Sequence, residues 1–184
     1  MNIHTALQRG LSRPDKSGRT IKYRYIQPGD DIGIVTNMLH EAYAPLAARG
    51  MRFLATHQDS ATTARRMGRG ETILAIDNHA PVGIITLMDA THTEGCPFYD
   101  RPDVAGFGQF AVLPSHQRTG IGSTLLSLAE QRAAERCGTV LALDTSEGAE
   151  HLIALYASKG YAFVDYVQWP DVNYRSVVMA KPIV

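Results

Sequence analysis

Apolar residues recur along the chain with two periods, and the change from one to the other divides it into elements. In "TIKYRYIQ" (20–27) Ile21, Tyr23 and Tyr25 alternate with polar positions, the two-residue period of a half-buried strand. Pro28-Gly29-Asp30 ends that run, and Asp30 or Asp31 is placed to cap the next helix. From 32 to 48, Ile34, Met38, Ala42 and Leu46 recur every four residues, which predicts an amphipathic helix disturbed by Pro45. A second helix is expected over 58–68 with Asp59 or Ser60 as its cap. "ETILAID" (71–77) and "PVGIITLMD" (81–89) flank the short polar turn Asn78-His79-Ala80 and predict a hairpin. Residues 90–105 read as a long irregular loop, a kind that is often functional in compact domains. A strand "GFGQFAVL" (106–113) then leads through a polar hinge into a helix over 120–137, with Ile121, Leu125, Leu128, Ala129 and Ala133 on one side. "TVLALDT" (139–145) is apolar on successive residues, as in a strand covered on both faces. In the next helix Ala149, Leu152, Ile153 and Tyr156 make the stripe and Lys159-Gly160 the stop, before two closing strands. Residues 1–19 lack periodicity and read as a flexible N-terminal arm. The order is strand, two helices, three strands, helix, strand, helix, two strands: one α/β layered domain with a mixed sheet and a βαβ crossover from the 106–113 strand to the 139–145 strand.

Composition narrows the function less than the pattern does. At 184 residues, 45% hydrophobic and 20% charged, the chain matches one ordinary globular domain. Eighteen basic residues balance eighteen acidic ones, so no charge draws it to nucleic acid or an anionic membrane. No apolar run approaches a membrane span, and the polar first residues carry no signal core, so no membrane partner or leader is expected. Two distant cysteines, Cys96 and Cys137, are too few for a disulfide framework and fit a reducing cytoplasm by default. Without CxxC or HExxH, no metal is expected.

The chemistry concentrates in "VLPSHQRTGIGSTLL" (112–126), where a strand hands over to a helix. A helix N-terminus presents unpaired N–H groups and partial positive charge. A strand leading into it aims those groups beyond the strand end. Gly120 and Gly122 let the backbone approach a ligand, and Gln117, Arg118 and Thr119 add donors; a pyrophosphate is the natural occupant. The P-loop signature fails because no Lys follows a glycine in register, and the GxGxxG fingerprint fails because its last position is Leu125.

What remains is Gln117-x-x-Gly120-x-Gly122 after a strand and a proline, and "LIALYASKGYAFVDY" further on. Together these resemble the acyl-CoA signature [QR]-x-x-G-x-[GA] and the A-x-x-L-Y-x-x-x-G-F segment of the GCN5-related N-acetyltransferase (GNAT) family, over a domain from residue 20 to 184. The resemblance implies a mostly antiparallel mixed sheet splayed between two parallel strands, with helices on both faces. It implies that the backbone from Gln117 through Arg118, Thr119, Gly120, Ile121 and Gly122, with Ser123 at the margin, holds the diphosphate of acetyl-CoA. The pantetheine arm would then run along Phe110, Ala111 and Val112, beside a bulge eased by Gly106 and Gly108. It further implies direct transfer to a primary amine in a ternary complex, a backbone N–H near Val112 as oxyanion donor, and Tyr156 as the acid that protonates the departing thiolate. Tyr156 also fits a plain core role. Many relatives carry an Asn where Ala149 stands, so that contact is absent here or supplied elsewhere.

The general base is open. Gln109 occupies the place of a strand carboxylate and cannot serve. Asp144, Glu94 and His92 are the substitutes, and Asp144 reads equally as a cap or turn residue. Tyr43, Arg52, Phe53, Phe98 and Tyr99 are the candidate acceptor-lining groups, suited to a small amine that also bears a carboxylate, or simply to packing. A small-molecule acceptor is favoured over a protein lysine or N-terminus. A non-catalytic acyl-CoA-binding sensor is the alternative from another class, and a homodimer stays open.

Overall fold

The computed structural model describes residues 2–88, 96–136 and 138–183. Among the described residues five α-helices, α1 (Ile3–Arg9), α2 (Ile32–Ala47), α3 (Ser60–Met67), α4 (Ile121–Glu135) and α5 (Glu150–Ser158), accompany eight strands. These are β1 (Leu11–Pro14), β2 (Thr20–Tyr25), β3 (Gly70–Asp77), β4 (Ala80–Met88), β5 (Val104–Val112), β6 (Val140–Ser146), β7 (Ala162–Val167) and β8 (Ser176–Pro182). They form one sheet in the order β1-β2-β3-β4-β5-β6-β8-β7, antiparallel except for the β5–β6 pair.

Local chemistry accounts for most boundaries. The Asp31 carboxylate accepts from the Gly33 and Ile34 amides at 2.7 and 3.4 Å, and Asp59 accepts from Thr62 N at 2.7 Å, so each starts its helix as an N-cap. Asn78 and His79 turn the β3–β4 hairpin with φ of 45° and 68°, the double left-handed geometry that matches strand twist. The stripe on α2 differs from the expected one. Val35, Met38, Leu39 and Leu46 are buried while Ile34 is 51% exposed, because a strict four-residue spacing drifts around a helix of 3.6 residues per turn.

The N-terminal segment, which lacks periodicity in the sequence, holds α1 and β1. The Asn2 side chain caps α1 by accepting from Thr5 N at 2.9 Å. The carboxylate of Glu135, at the end of α4, accepts from the Ile3 and His4 amides. Leu7 is fully buried, and β1 extends the sheet by pairing Leu11 with Tyr23 through Pro14 with Thr20. A seven-residue helix with two buried residues, Ala6 and Leu7, offers too little periodicity to read.

Helices cover both faces. On one, α1, α4 and α5 pack through Leu7, Ile121, Leu125, Leu128 and Tyr156 against Ile73, Leu87, Phe107 and Leu143. On the other, α2 and α3 pack through Val35, Leu39 and Met67 against Leu74, Ile84 and Ala111. A third cluster joins Tyr99 and Val104 to Ala142, Val178 and Ala180. Two irregularities position the site. The β5–β6 pairing runs only from Val104–Val140 to Gly106–Ala142, after which the strands part. Opposite β4, Ile84 pairs with Ala111 but Thr86 with Gly108, so Gln109 and Phe110 face Ile85 alone. The residue that takes the left-handed conformation in this bulge is Gln109, with φ of 47°, and not one of the nearby glycines.

Candidate active site

At the far end of the splayed strands the hinge is held from three sides. The His116 Nε2 lies 3.2 Å from Asp77 Oδ2, and Ser115 Oγ lies 2.9 Å from His116 Nδ1. Thr119 Oγ1 donates to His116 O at 2.7 Å, and Gln117 Nε2 folds back to donate to Val112 O at 3.0 Å. Lys16, in the β1–β2 turn, donates its amide to Thr119 O at 2.8 Å. Gly120 starts α4 with φ of 95°, and no side chain caps this helix. Among the described residues no protein acceptor receives the amides of Arg118 through Ser123; Thr124 N is the first to bond back, to Gly120 O. A row of free donors therefore faces outward at a positive helix end, the condition for holding a diphosphate. Ile121 contributes its amide alone, since its side chain is 1% exposed in the core.

Three cations surround these amides. Arg118 is exposed, with φ of 63°. The Lys16 chain runs within 3.6–4.0 Å of where a Cβ on Gly120 would stand. Lys159, closing α5, donates to Ser123 Oγ at 3.1 Å. Neither lysine was legible as a site residue: Lys159 reads as a helix stop, and Lys16 reaches the hinge only through the pairing of β1 with β2.

Along β5, Phe110 is half-buried and Ala111 faces the α2 side. Leu113 N donates to Val82 O at 2.9 Å. By the alternation of antiparallel pairs, the neighbouring Val112–Gly83 pair is unbonded, and the Val112 amide turns away from β4 toward the opening beside β6. Tyr156, on α5, packs its ring against Phe107, Phe110 and Tyr161 with centroids 6.1, 6.5 and 6.1 Å away. Burial pushes its phenol far above the ordinary value, and Tyr43 and Asp144 push it further. Those two residues belong to the opposite face of the sheet, so their influence on Tyr156 crosses at the gap. The Tyr156 hydroxyl has no partner among the described residues, whereas the Tyr43 hydroxyl donates to Phe110 O at 3.1 Å.

Asp144 lies inside β6, open to solvent at the mouth of the gap but crowded by protein on its other sides. That crowding pushes its carboxyl above the usual range, opposed by the Trp169 indole, which donates to Oδ2 at 2.9 Å. It caps no helix: Ala149 precedes α5 without a side-chain cap. His92 and Glu94 lie outside the described residues. Of the expected acceptor groups, Tyr43 and Phe53 pack with tilted rings, centroids 5.6 Å apart, and Phe53 meets Tyr174, a residue the sequence did not offer, at 4.9 Å. Tyr99 is instead buried in the core, its ring 3.2 Å from where a Cβ on Gly106 would stand, and Phe98 packs on that cluster. Arg52 is exposed and donates only its amide, to Asn173 Oδ1 at 3.2 Å. The arginine near the aromatic wall is Arg66 of α3, close enough to Tyr43, Tyr174 and Asp144 to interact with them electrostatically. Its side chain gave no local signal, because the partners it meets are far away in sequence.

No metal-holding cluster of His, Cys, Asp or Glu occurs among the described residues, and no helix in them is long and apolar enough to cross a membrane. Among curated protein sequences none matches the chain. Solved structures match in fold. The ribosomal-protein-S18-alanine N-acetyltransferase of Escherichia coli superposes with a TM-score of 0.67 at 20% identity, over 89% of this chain and 94% of that one. The GNAT domain of PAT from S. lividans gives 0.69 at 18%, over 94% and 96%. A GNAT family acetyltransferase from Elizabethkingia anophelis, solved with acetyl-CoA bound, gives 0.62 at 15%, over 88% and 97%. A model of the acetyltransferase (GNAT) family matches residues 34–161, a span that holds the hinge, both splayed strands and Tyr156. The chain belongs to the GNAT family of acetyltransferases.

Proposed function

We propose that the protein transfers an acetyl group from acetyl-CoA to the primary amine of a small molecule, directly, in a ternary complex. The observation that carries this reading is the opening between β5 and β6. Pairing stops at Gly106–Ala142; Asp144 of β6 lies close enough to Tyr156 of α5 to act on its phenol, and in this reading the Val112 amide turns to the same opening. Acetyl-CoA supplies an activated thioester. The residues of this chain do the rest.

The free amides of Arg118 through Ser123, with Lys16, Arg118 and Lys159 around them, neutralise the diphosphate. The Val112 N–H faces the place where oxyanion charge develops. Tyr156 carries its proton at neutral pH as any phenol does, and burial, by raising its pKa, keeps it a neutral donor for the departing sulfur. The attacking amine must be neutral, and Asp144, with its raised pKa, is suited to accept the proton it sheds. Gln109, on the bulge, cannot take that role.

The test is acceptor-dependent release of free CoA from acetyl-CoA across a panel of small amines, peptide N-termini and lysine peptides. Turnover of small amines with little on peptides supports the proposal. Tight acetyl-CoA binding without turnover on any acceptor supports the sensor reading, and preferential turnover of peptides supports a protein acetyltransferase.

A further inference from the structure

Arg66 stands out among the cations of the molecule. It leaves α3 half-buried, and among the described residues no carboxylate lies within ion-pair distance of it. Its partner is neutral: Nη1 donates to Gln58 Oε1 at 2.6 Å. Gln58 is itself fixed, being 3% exposed, donating from Nε2 to Thr63 Oγ1 at 2.7 Å and meeting His40 Nε2 through its carbonyl at 2.8 Å. Thr36 Oγ1 donates to the same Thr63 hydroxyl at 2.9 Å. A buried polar frame from α2 and α3 thus holds one guanidinium edge and leaves the remaining donors unanswered. A cation drawn partly out of water is costly unless it is paired.

A second unanswered donor lies on the same face beneath α3. Gln109 is 3% exposed, and its Oε1 accepts from Thr86 Oγ1 at 3.3 Å. Thr86 Oγ1 in turn lies 2.9 Å from Thr72 Oγ1, and Thr72 reaches back to Met67 O. The Gln109 Nε2 has no partner. Leaving such a group unsatisfied costs about 1–3 kcal/mol, which an acceptor would recover. Near Arg66 stand Tyr43 and Tyr174, which make an aromatic wall with Phe53 between them, and the Asp144 carboxylate with one oxygen held by Trp169.

We propose that the acceptor is an amine that also carries a carboxylate, an amino-acid-like zwitterion, whose carboxylate is bound by Arg66 while its amine lies toward Asp144 and the Tyr156 hydroxyl. The inference rests on the proposed acetyl transfer for its reaction but not for its binding step. Arg66 supplies charge and a planar fork suited to a carboxylate. The frame from Gln58 through Thr63 holds that fork in place before the ligand arrives. The tyrosines and Phe53 set the width of the space between. Arg52, which the sequence offered for this role, is exposed and points to no such arrangement.

The experiment compares phenylalanine with phenylalaninamide, and an aliphatic amino acid with its amide, as acceptors for the parent protein and for Arg66→Met and Arg66→Lys. Thermal melts establish that each variant is folded. Each acid is expected to exceed its amide by at least about ten-fold in kcat/KM, the worth of one charge-assisted pair. Arg66→Met should remove that preference through KM, leaving the amides and acetyl-CoA affinity unchanged, and Arg66→Lys should restore part of it. Amides accepted as well as acids, or an Arg66→Met loss equal for both, would overturn the inference. Binding is read separately by calorimetric titration of the same acids and amides, and of their N-acetylated forms, into the CoA-saturated protein. Uptake of the acids alone, abolished by Arg66→Met, upholds the carboxylate site even if no amine is turned over, in which case it is the acetyl-transfer reading that fails. If neither acids nor their acetylated forms bind, the site proposal fails whatever the enzyme does with other amines.

Discussion

Replacing Tyr156 by phenylalanine removes one oxygen and keeps the ring. That ring meets Phe107, Phe110 and Tyr161 at centroid distances of 6.1–6.5 Å, and all three contacts survive the change. The lost hydroxyl has no partner among the described residues, so no hydrogen bond is broken and no buried acceptor is orphaned. Stability should therefore stay within about 0.5 kcal/mol of the parent, and the melting temperature within about 2 °C. Turnover should fall by about ten-fold or more, the lower end of what one general acid contributes, with acetyl-CoA affinity unchanged. Tyr161→Phe is the matched control. Its ring sits in the same cluster, but its hydroxyl donates to Glu130 Oε1 at 3.1 Å, away from the gap. It should lose about 1 kcal/mol of stability and about 2–4 °C in melting temperature, with kcat unchanged. Thiol release followed by a colorimetric thiol reagent, together with thermal melts of both variants, separates the two roles. A parent-like kcat in Tyr156→Phe, or a stability loss without a kinetic one, would refute the assignment and leave Tyr156 a packing residue.

Gly120→Ala places a Cβ at φ of 95°, where the nearest atom is Lys16 Cγ at 3.6 Å, so there is room and the cost is backbone strain alone. A loss of about 1–2 kcal/mol is expected, and a melt no lower than the parent's would contradict it. Lys16→Ala and Lys159→Ala should each weaken acetyl-CoA binding by about three- to ten-fold and flatten its salt dependence, as titrations at two ionic strengths would show. Asp144 has a raised pKa in the folded chain, so folding takes up a proton between the ordinary carboxylate value and the raised one. Its contribution to stability falls as pH rises through that window. Asp144→Asn should accordingly be at least as stable as the parent above the window and gain nothing below it. If Asp144 is the base, activity should rise with pH as it ionises, and Asp144→Asn should lose that limb and about a hundred-fold in turnover. A parent-like pH profile in the variant would exclude it.

Features set by neighbouring residues were legible in the sequence, and features set by distant ones were not. Asp31 and Asp59 cap helices through their own backbone two or three residues on, and Asn78-His79 turns a hairpin locally. The hinge could be read for the same reason, since two glycines after a strand and a proline are a local arrangement. The bulge is expected from the family resemblance, but a non-glycine residue with left-handed φ gives no sign of itself, so in the sequence Gln109 reads only as a missing carboxylate. The short α1 was invisible because its stability comes from Glu135 and the sheet rather than from its own seven residues. Arg66 and Trp169 escaped notice because what makes them matter, Gln58 for one and Asp144 for the other, lies across space.

The proposed reaction depends on the main-chain N–H groups of Arg118 through Ser123 gripping the diphosphate of an acylated carrier. An amide-resolved NMR titration of the folded protein with acetyl-CoA tests it most directly. Saturable binding at one site per chain, with the largest shifts at those six residues, is the expected result. No uptake, or saturation that leaves those amides where they were, would mean that the hinge holds no diphosphate.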